Sequence, residues 1–174
     1  PGVDVYQWKR SREVKYYVHI PHAASDITLY RMFGIDYYDA ILLSGDFQVA
    51  QVRELERTRK LPPKELVKVG IPYMDDMLIR LKTDTRPINE TRTILLAPSW
   101  GPSAILSKYG EKILKALVDT GYHIIVRPHP QSFKSEQALM DKLMQAYPNS
   151  QCLEWNRDSD NYDVLKKADI LISD

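Results

Sequence analysis

Thr93-Ile94-Leu95-Leu96-Ala97-Pro98-Ser99-Trp100-Gly101-Pro102 is the stretch on which the fold turns. A short aliphatic run stops at a proline-bounded loop, the pattern of a strand buried on both faces that delivers its polar residues at its carboxyl end. One helix length later the pattern recurs as His123-Ile124-Ile125-Val126-Arg127-Pro128-His129-Pro130. Working outward, residues 109–120 and 136–147 read as helices, 152–154 as a strand, 162–168 as a helix and 170–173 as a further strand. Strands alternating with helices of this length predict βαβ units and a mainly parallel sheet with right-handed crossovers.

The same alternation runs upstream. Residues 16–20 read as a strand closed by Pro21, and Ser25 or Asp26 as the cap of a short helix through Phe33. Residues 40–43 form a second strand ending at Ser44-Gly45, and 47–58 an amphipathic helix with Val49, Val52 and Leu55 on one stripe. Leu61-Pro62-Pro63 breaks that helix, residues 67–70 make a short strand, and 74–81 a helix behind Tyr73 or Asp75 as cap. Between 82 and 92 the chain turns polar. The expected division is therefore one α/β domain over 1–82, a linker at 83–92 and a second α/β domain over 93–174, with both ends reading as cut.

Composition narrows the function classes. Lys plus Arg total 24 against 23 for Asp plus Glu, a formal charge of +1, so no global field steers nucleic acid and any anion site must be local. No apolar run approaches the roughly 20 residues of a membrane span. Lys9, Arg10, Arg12 and Lys15 read as a solvated basic face. The lone Cys152 has no partner for an internal disulfide and no neighbouring zinc ligands, and is expected to be a packed thiol in a reducing compartment.

Ligands of open parallel α/β sheets bind beyond the carboxyl ends of the strands. There the chain places His22, then Ser99 and Trp100, then Arg127 and His129. Two prolines stiffen the backbone around Arg127 and His129, which favours preorganised anion binding over the bland reading, a loop hydrogen bond for His129 and a surface carboxylate for Arg127. His22 stands open between proton acceptor and loop residue. His19, inside the strand, reads as a satisfied structural histidine; His19 and His22 lack the neighbours that would complete a metal set. The 97–102 loop reads equally as a phosphate-side turn, with Ser99 and backbone N–H groups as donors, and as a rigid turn with Trp100 packed on the core. The tyrosines of 30–38 are expected to pack the domain rather than stack bases. Walker A, G-x-G-x-x-G and nucleophile-elbow sequences do not occur.

Taken in order, Ile20-Pro21-His22-Ala23, Tyr38-Asp39-Ala40-Ile41-Leu42-Leu43-Ser44-Gly45, Val69-Gly70-Ile71-Pro72-Tyr73-Met74-Asp75, Ala97-Pro98-Ser99-Trp100-Gly101-Pro102 and Arg127-Pro128-His129-Pro130 resemble the CDP-glycerol glycerophosphotransferase family, which builds teichoic-acid-like polymers. The resemblance implies a GT-B fold with two Rossmann-like domains and an active site between them. It also implies His22 as base on the acceptor hydroxyl, with Ala23 standing where the family has glycine. Arg127 and His129 would contact the donor diphosphate, and Asp174 would open a serine-rich phosphate loop. The implied reaction transfers glycerol phosphate, or a related polyol phosphate, from a CDP-linked donor to a lipid-linked polymer acceptor, releasing CMP. It needs no cofactor and no nucleic acid, and implies a cytoplasmic protein peripheral to the inner face of the cell membrane. The same fold also hosts sugar-nucleotide glycosyltransferases and UDP-N-acetylglucosamine 2-epimerases, and a non-catalytic nucleotide-binding module is the alternative of a different class.

Overall fold

The computed structural model describes residues 9–21, 24–30 and 33–174. It divides into two compact units, the first ending at Lys82 and the second covering Thr83–Asp174. Both are α/β with parallel sheets.

In the first unit β1 (Val18–His19), β2 (Ala40–Leu43) and β3 (Glu65–Lys68) pair in sequence order, all parallel. Ile41 and Leu43 of β2 pack with Ile27, Ile35 and Val52, the last from α1 (Phe47–Arg59). β1 is shorter than its aromatic run predicts because Asp39 takes over the ladder. The Asp39 carboxylate accepts the Tyr17 N–H at 2.8 Å and binds Arg10, while Tyr17 O accepts the Asp39 N–H. Asp26 caps as expected, accepting from Thr28 N at 2.8 Å, but only a 3-10 turn over Ile27–Leu29 follows. β3 stops at Lys68 and not at Gly70, whose φ of 73° lies in the left-handed region. α2 (Pro72–Thr83) starts with Pro72 in its first turn, where the missing N–H has no helical partner to lose. It buries none of its residues.

The buried stripe of α1 is Gln48, Val52 and Glu56, spaced by four; of the expected stripe Val52 lies on it, Val49 packs half-buried against the same core and Leu55 is half-buried. Both polar members are satisfied. Glu56 accepts from Arg53 and from Lys64 N at 2.7 Å, and the Lys64 ammonium, buried with it, donates to the carbonyls of Asp36 and Tyr38. Burial pushes the Lys64 ammonium below its ordinary value, with Asp36 and Glu56 opposing the shift.

The second unit contains β4 (Thr93–Leu96), α3 (Ile105–Val118), β5 (His123–Val126), α4 (Ser132–Ser135), α5 (Gln137–Ala146), β6 (Leu153–Trp155), α6 (Tyr162–Lys167) and β7 (Ile170–Ile172). The sheet order is β6-β5-β4-β7, all parallel. Counted within the unit this is 3-2-1-4, a doubly wound order whose direction reverses between β4 and β7. Ile94, Leu96, Ile124 and Val126 face α3 and α5, packing with Leu106, Leu114, Met140 and Leu143. Leu95 and Ile125 point to the opposite face and meet Val164 and Leu165 of α6. The aliphatic runs are continuous because both faces of each strand are covered.

The polar stretch after α2 is tied to this unit. Asp169 accepts from Arg86, Asn89 and Thr93 N, and Asp84 pairs with Lys166. α3 begins four residues before its expected start and is interrupted at Gly110, whose φ of 41° and ψ of −118° no helix contains. The helix expected over 136–147 is α5, starting at Gln137, and a separate short helix, α4, precedes it, the two parted at Glu136 (φ −130°, ψ 31°). Cys152 corrects another expectation: it lies before β6, exposed, with its Sγ 3.4 Å from Ser150 Oγ, because the strand's inward positions are Leu153 and Trp155. Among the described residues no helix is long and apolar enough to cross a membrane.

Candidate functional site

The carboxyl ends of β4 and β5 border a cleft of about 260 Å³ lined by Leu95, Ala97, Pro98, Arg127, Pro128, His129, Pro130, Asn161 and Leu165. Its apolar lining comes from β4 and α6 and its cationic lining from the loop after β5. That combination of an apolar surface with a few convergent polar groups is the usual make-up of a small-molecule site.

His129 is exposed at the mouth, its Nδ1 accepting the Gln131 N–H at 3.1 Å. With Nδ1 so engaged, Nε2 is the nitrogen left to meet a ligand. The Trp100 ring stands 6.3 Å from the imidazole, tilted by 33°, and is half exposed. Of the two readings of its loop, the one that packs Trp100 on the core is overturned. Gly101 makes this placement possible with a φ of 96°, a backbone conformation that a side chain would strain.

Arg127 does not take a surface carboxylate. Its guanidinium donates to Asn156 Oδ1 and, at 2.7 Å, to the carbonyl of Asp158, both neutral acceptors on the loop after β6. A guanidinium carries five N–H donors, so the anchoring fixes its plane and leaves charge and donors for an anion.

Two carboxylates shape the loop between β4 and α3. Asp174, just beyond β7, accepts from Ser99 N and from Ile105 N, each at 2.5 Å. Glu136 accepts from Gly101 N at 3.2 Å and Ser107 Oγ at 2.6 Å. Burial works against charge on Asp174, but the donated N–H groups of Ser99 and Ile105 outweigh it and hold the carboxyl below its ordinary value. Glu136 is held low as well, first by the Ser107 hydroxyl, against partial burial. Of the N–H groups that the 97–102 loop offered to a phosphate, those of Ser99 and Gly101 are thus occupied by carboxylates of the chain itself, Asp174 and Glu136. The Ser99 side chain, on an exposed residue, is drawn to the same carboxylate as its N–H, that of Asp174.

His22 lies outside the described residues. The described residues that follow are held by α1: Gln48, fully buried, donates to Ser25 O at 2.9 Å and accepts from Ser44 N at 2.8 Å, and Gln51 accepts from Ile27 N at 3.1 Å. His19 is buried between Tyr30 and Tyr38, with ring centroids at 5.1 and 4.7 Å, and the tyrosines of this segment pack on it and on one another. Among the described residues no cluster of three or more His, Cys, Asp or Glu side chains is placed to hold a metal. The structure brings Ser99, Trp100, Arg127, His129 and Asp174 to one rim of the second unit. Glu136, Asn156 and Gln48, which position that rim and the first loop, were not singled out in the sequence; the one available signal was a polar residue on a buried helix stripe, at Gln48.

The second unit is thus a doubly wound α/β unit with a polar cleft at its strand ends. Compared with known proteins, the chain matches no family model, no curated protein and no solved structure.

Proposed function

We propose that the chain belongs to a transferase that moves glycerol phosphate, or a related polyol phosphate, from a CDP-linked donor to a hydroxyl of a wall or capsule polymer, with release of CMP. The observation that carries the reading is the joint presence of Arg127 and His129 in one cleft at the strand ends of a doubly wound sheet, with the Trp100 ring next to His129. The motif resemblance supplies the donor and the reaction. In this reading Arg127, its plane fixed by Asn156 and Asp158, and His129 through Nε2 stabilise the charge that develops on the donor diphosphate, and Trp100 borders the nucleotide. His22 accepts the proton of the attacking hydroxyl. The acceptor oxygen forms its bond to the glycerol-bearing phosphorus as the bond to the CMP oxygen breaks. Little covalent work falls to the protein in phosphoryl transfer, where alignment and charge stabilisation dominate.

Incubating the intact protein separately with CDP-glycerol, CDP-ribitol and UDP-sugars, and measuring the nucleotide released, tests the proposal. CMP from a CDP-polyol supports it. UDP release instead makes the protein a sugar-nucleotide enzyme, and nucleotide binding without turnover makes it a binding module.

A further inference from the structure

Adjoining the principal cleft is a second, smaller cavity of about 100 Å³ between the loops that follow β5 and β6. Arg127, Pro128 and Pro130 form the wall it shares with the cleft, and Phe133, Asn156, Arg157 and Asp158 form the rest. Two guanidinium groups therefore border a volume suited to one small polyatomic ion and too small for a nucleoside.

The partners of these arginines are neutral. Arg127 is bound to an amide oxygen and a backbone carbonyl. Arg157 lies over the Phe133 ring, 4.1 Å from its centroid, and donates to Met144 Sδ at 2.9 Å. Elsewhere the chain neutralises its arginines, as Arg53 with Glu56, Arg59 with Asp36 and Arg86 with Asp169. Among the described residues neither Arg127 nor Arg157 has a carboxylate at ion-pair distance. The single acid of the lining, Asp158, accepts from Asn156 Nδ2 at 2.7 Å, so the lining keeps an excess of one positive charge. Ring stacking and hydrogen bonds to neutral acceptors fix both guanidinium planes without reducing their charge. That is the preorganisation bidentate phosphate recognition requires.

We propose that this cavity is an anion subsite for a single phosphate group, held by Arg157 together with the inner edge of Arg127. It does not depend on the donor reading above, although the two sites share Arg127. A ligand with two separated phosphates would span both, with Arg127 between them.

Inorganic phosphate is the probe, titrated at constant ionic strength into the isotope-labelled 174-residue chain and followed through the arginine Nε–H resonances. The expected result is a saturable shift of Arg157 and Arg127, weakened at least about tenfold in Arg157→Gln and less in Arg157→Lys, which keeps the charge but loses the fork. Arg157 is exposed, and an unchanged amide spectrum verifies that each variant is folded. His129→Gln is expected to leave phosphate affinity within about twofold, since direct hydrogen bonds rather than distant charge carry the binding. No saturable shift, or affinity indifferent to Arg157→Gln, overturns the proposal. Affinity lost in His129→Gln and retained in Arg157→Gln assigns phosphate to the principal cleft and overturns it too. A parallel titration with CDP separates the two readings: phosphate binding without CDP binding sinks the donor assignment and leaves this subsite standing.

Discussion

Asp174 caps α3 from the far end of the chain: its carboxylate, one residue past Ser173 on the strand β7 side, accepts the backbone N–H of Ile105 at 2.5 Å. The residue before Ile105 is Ala104, which has no side-chain acceptor, so the first turn of α3 depends on a cap supplied from another strand. Asp174→Ala should cost the second unit about 1 kcal/mol, the usual worth of an N-cap, read as faster hydrogen exchange of the α3 amides. Unchanged exchange would mean that water replaces the carboxylate without loss.

The same carboxylate gives the unit an acid sensitivity of definite sign. Asp174 and Glu136 are both held below their ordinary values in the fold, so their contribution is complete above the unfolded carboxylate value. It is lost as pH falls through the lower folded value, because the unfolded chain takes up protons first. Protection of the α3 amides should therefore be flat above about pH 5 and decline below about pH 4. The decline should be shallower in Asp174→Asn, which no longer titrates.

Gly101→Ala tests the loop from its backbone. Nothing lies within 4 Å of an added methyl group, so the penalty is conformational alone, from a φ of 96°. About 1–2 kcal/mol is expected, together with altered Trp100 fluorescence as the indole leaves its place beside His129. An unaltered emission spectrum would show that Trp100 is placed by something other than this turn.

Gln48→Ala removes a buried amide and strands the Ser44 N–H and the Ser25 carbonyl. Loss of about 2 kcal/mol from the first unit is expected in denaturant unfolding. A loss near zero would show that the loop before α1 is held by solvent.

On the proposed function, His22→Ala or His129→Ala in the intact protein should lower CMP release from a CDP-polyol by at least about a hundredfold, the usual worth of a placed general base for His22 and of a donor aimed at developing charge for His129. Turnover close to that of the unsubstituted protein in either variant removes that imidazole from the reaction.

The parallel α/β class was legible because strands buried on both faces leave uninterrupted runs such as Ile94-Leu95-Leu96 and Ile124-Ile125-Val126. Helix ends were less so, for a physical reason. The start of α3 is fixed by Asp174 and the break before α5 occurs at Glu136, whose side chain is drawn to Gly101 and Ser107. Both are decided by bonds between residues far apart in sequence, which no local window contains. Cys152 was misplaced because one residue of register decides which side of a strand end faces water. The rim residues Arg127, His129, Ser99 and Trp100 were legible from their siting after apolar runs. The groups that hold them, Asn156 and Glu136, carry no comparable local mark.

The two strand orders imply different schedules during synthesis. A sheet ordered β1-β2-β3 is built by accretion, each new strand finding its neighbour as soon as it leaves the ribosome. In the other sheet β4 exposes its second edge until β7 arrives to pair with it, after β5, β6 and four helices have been made. Nascent second units therefore pass through a stage with an unpaired, strongly apolar strand edge, the stage at which a chaperone would be most useful to them.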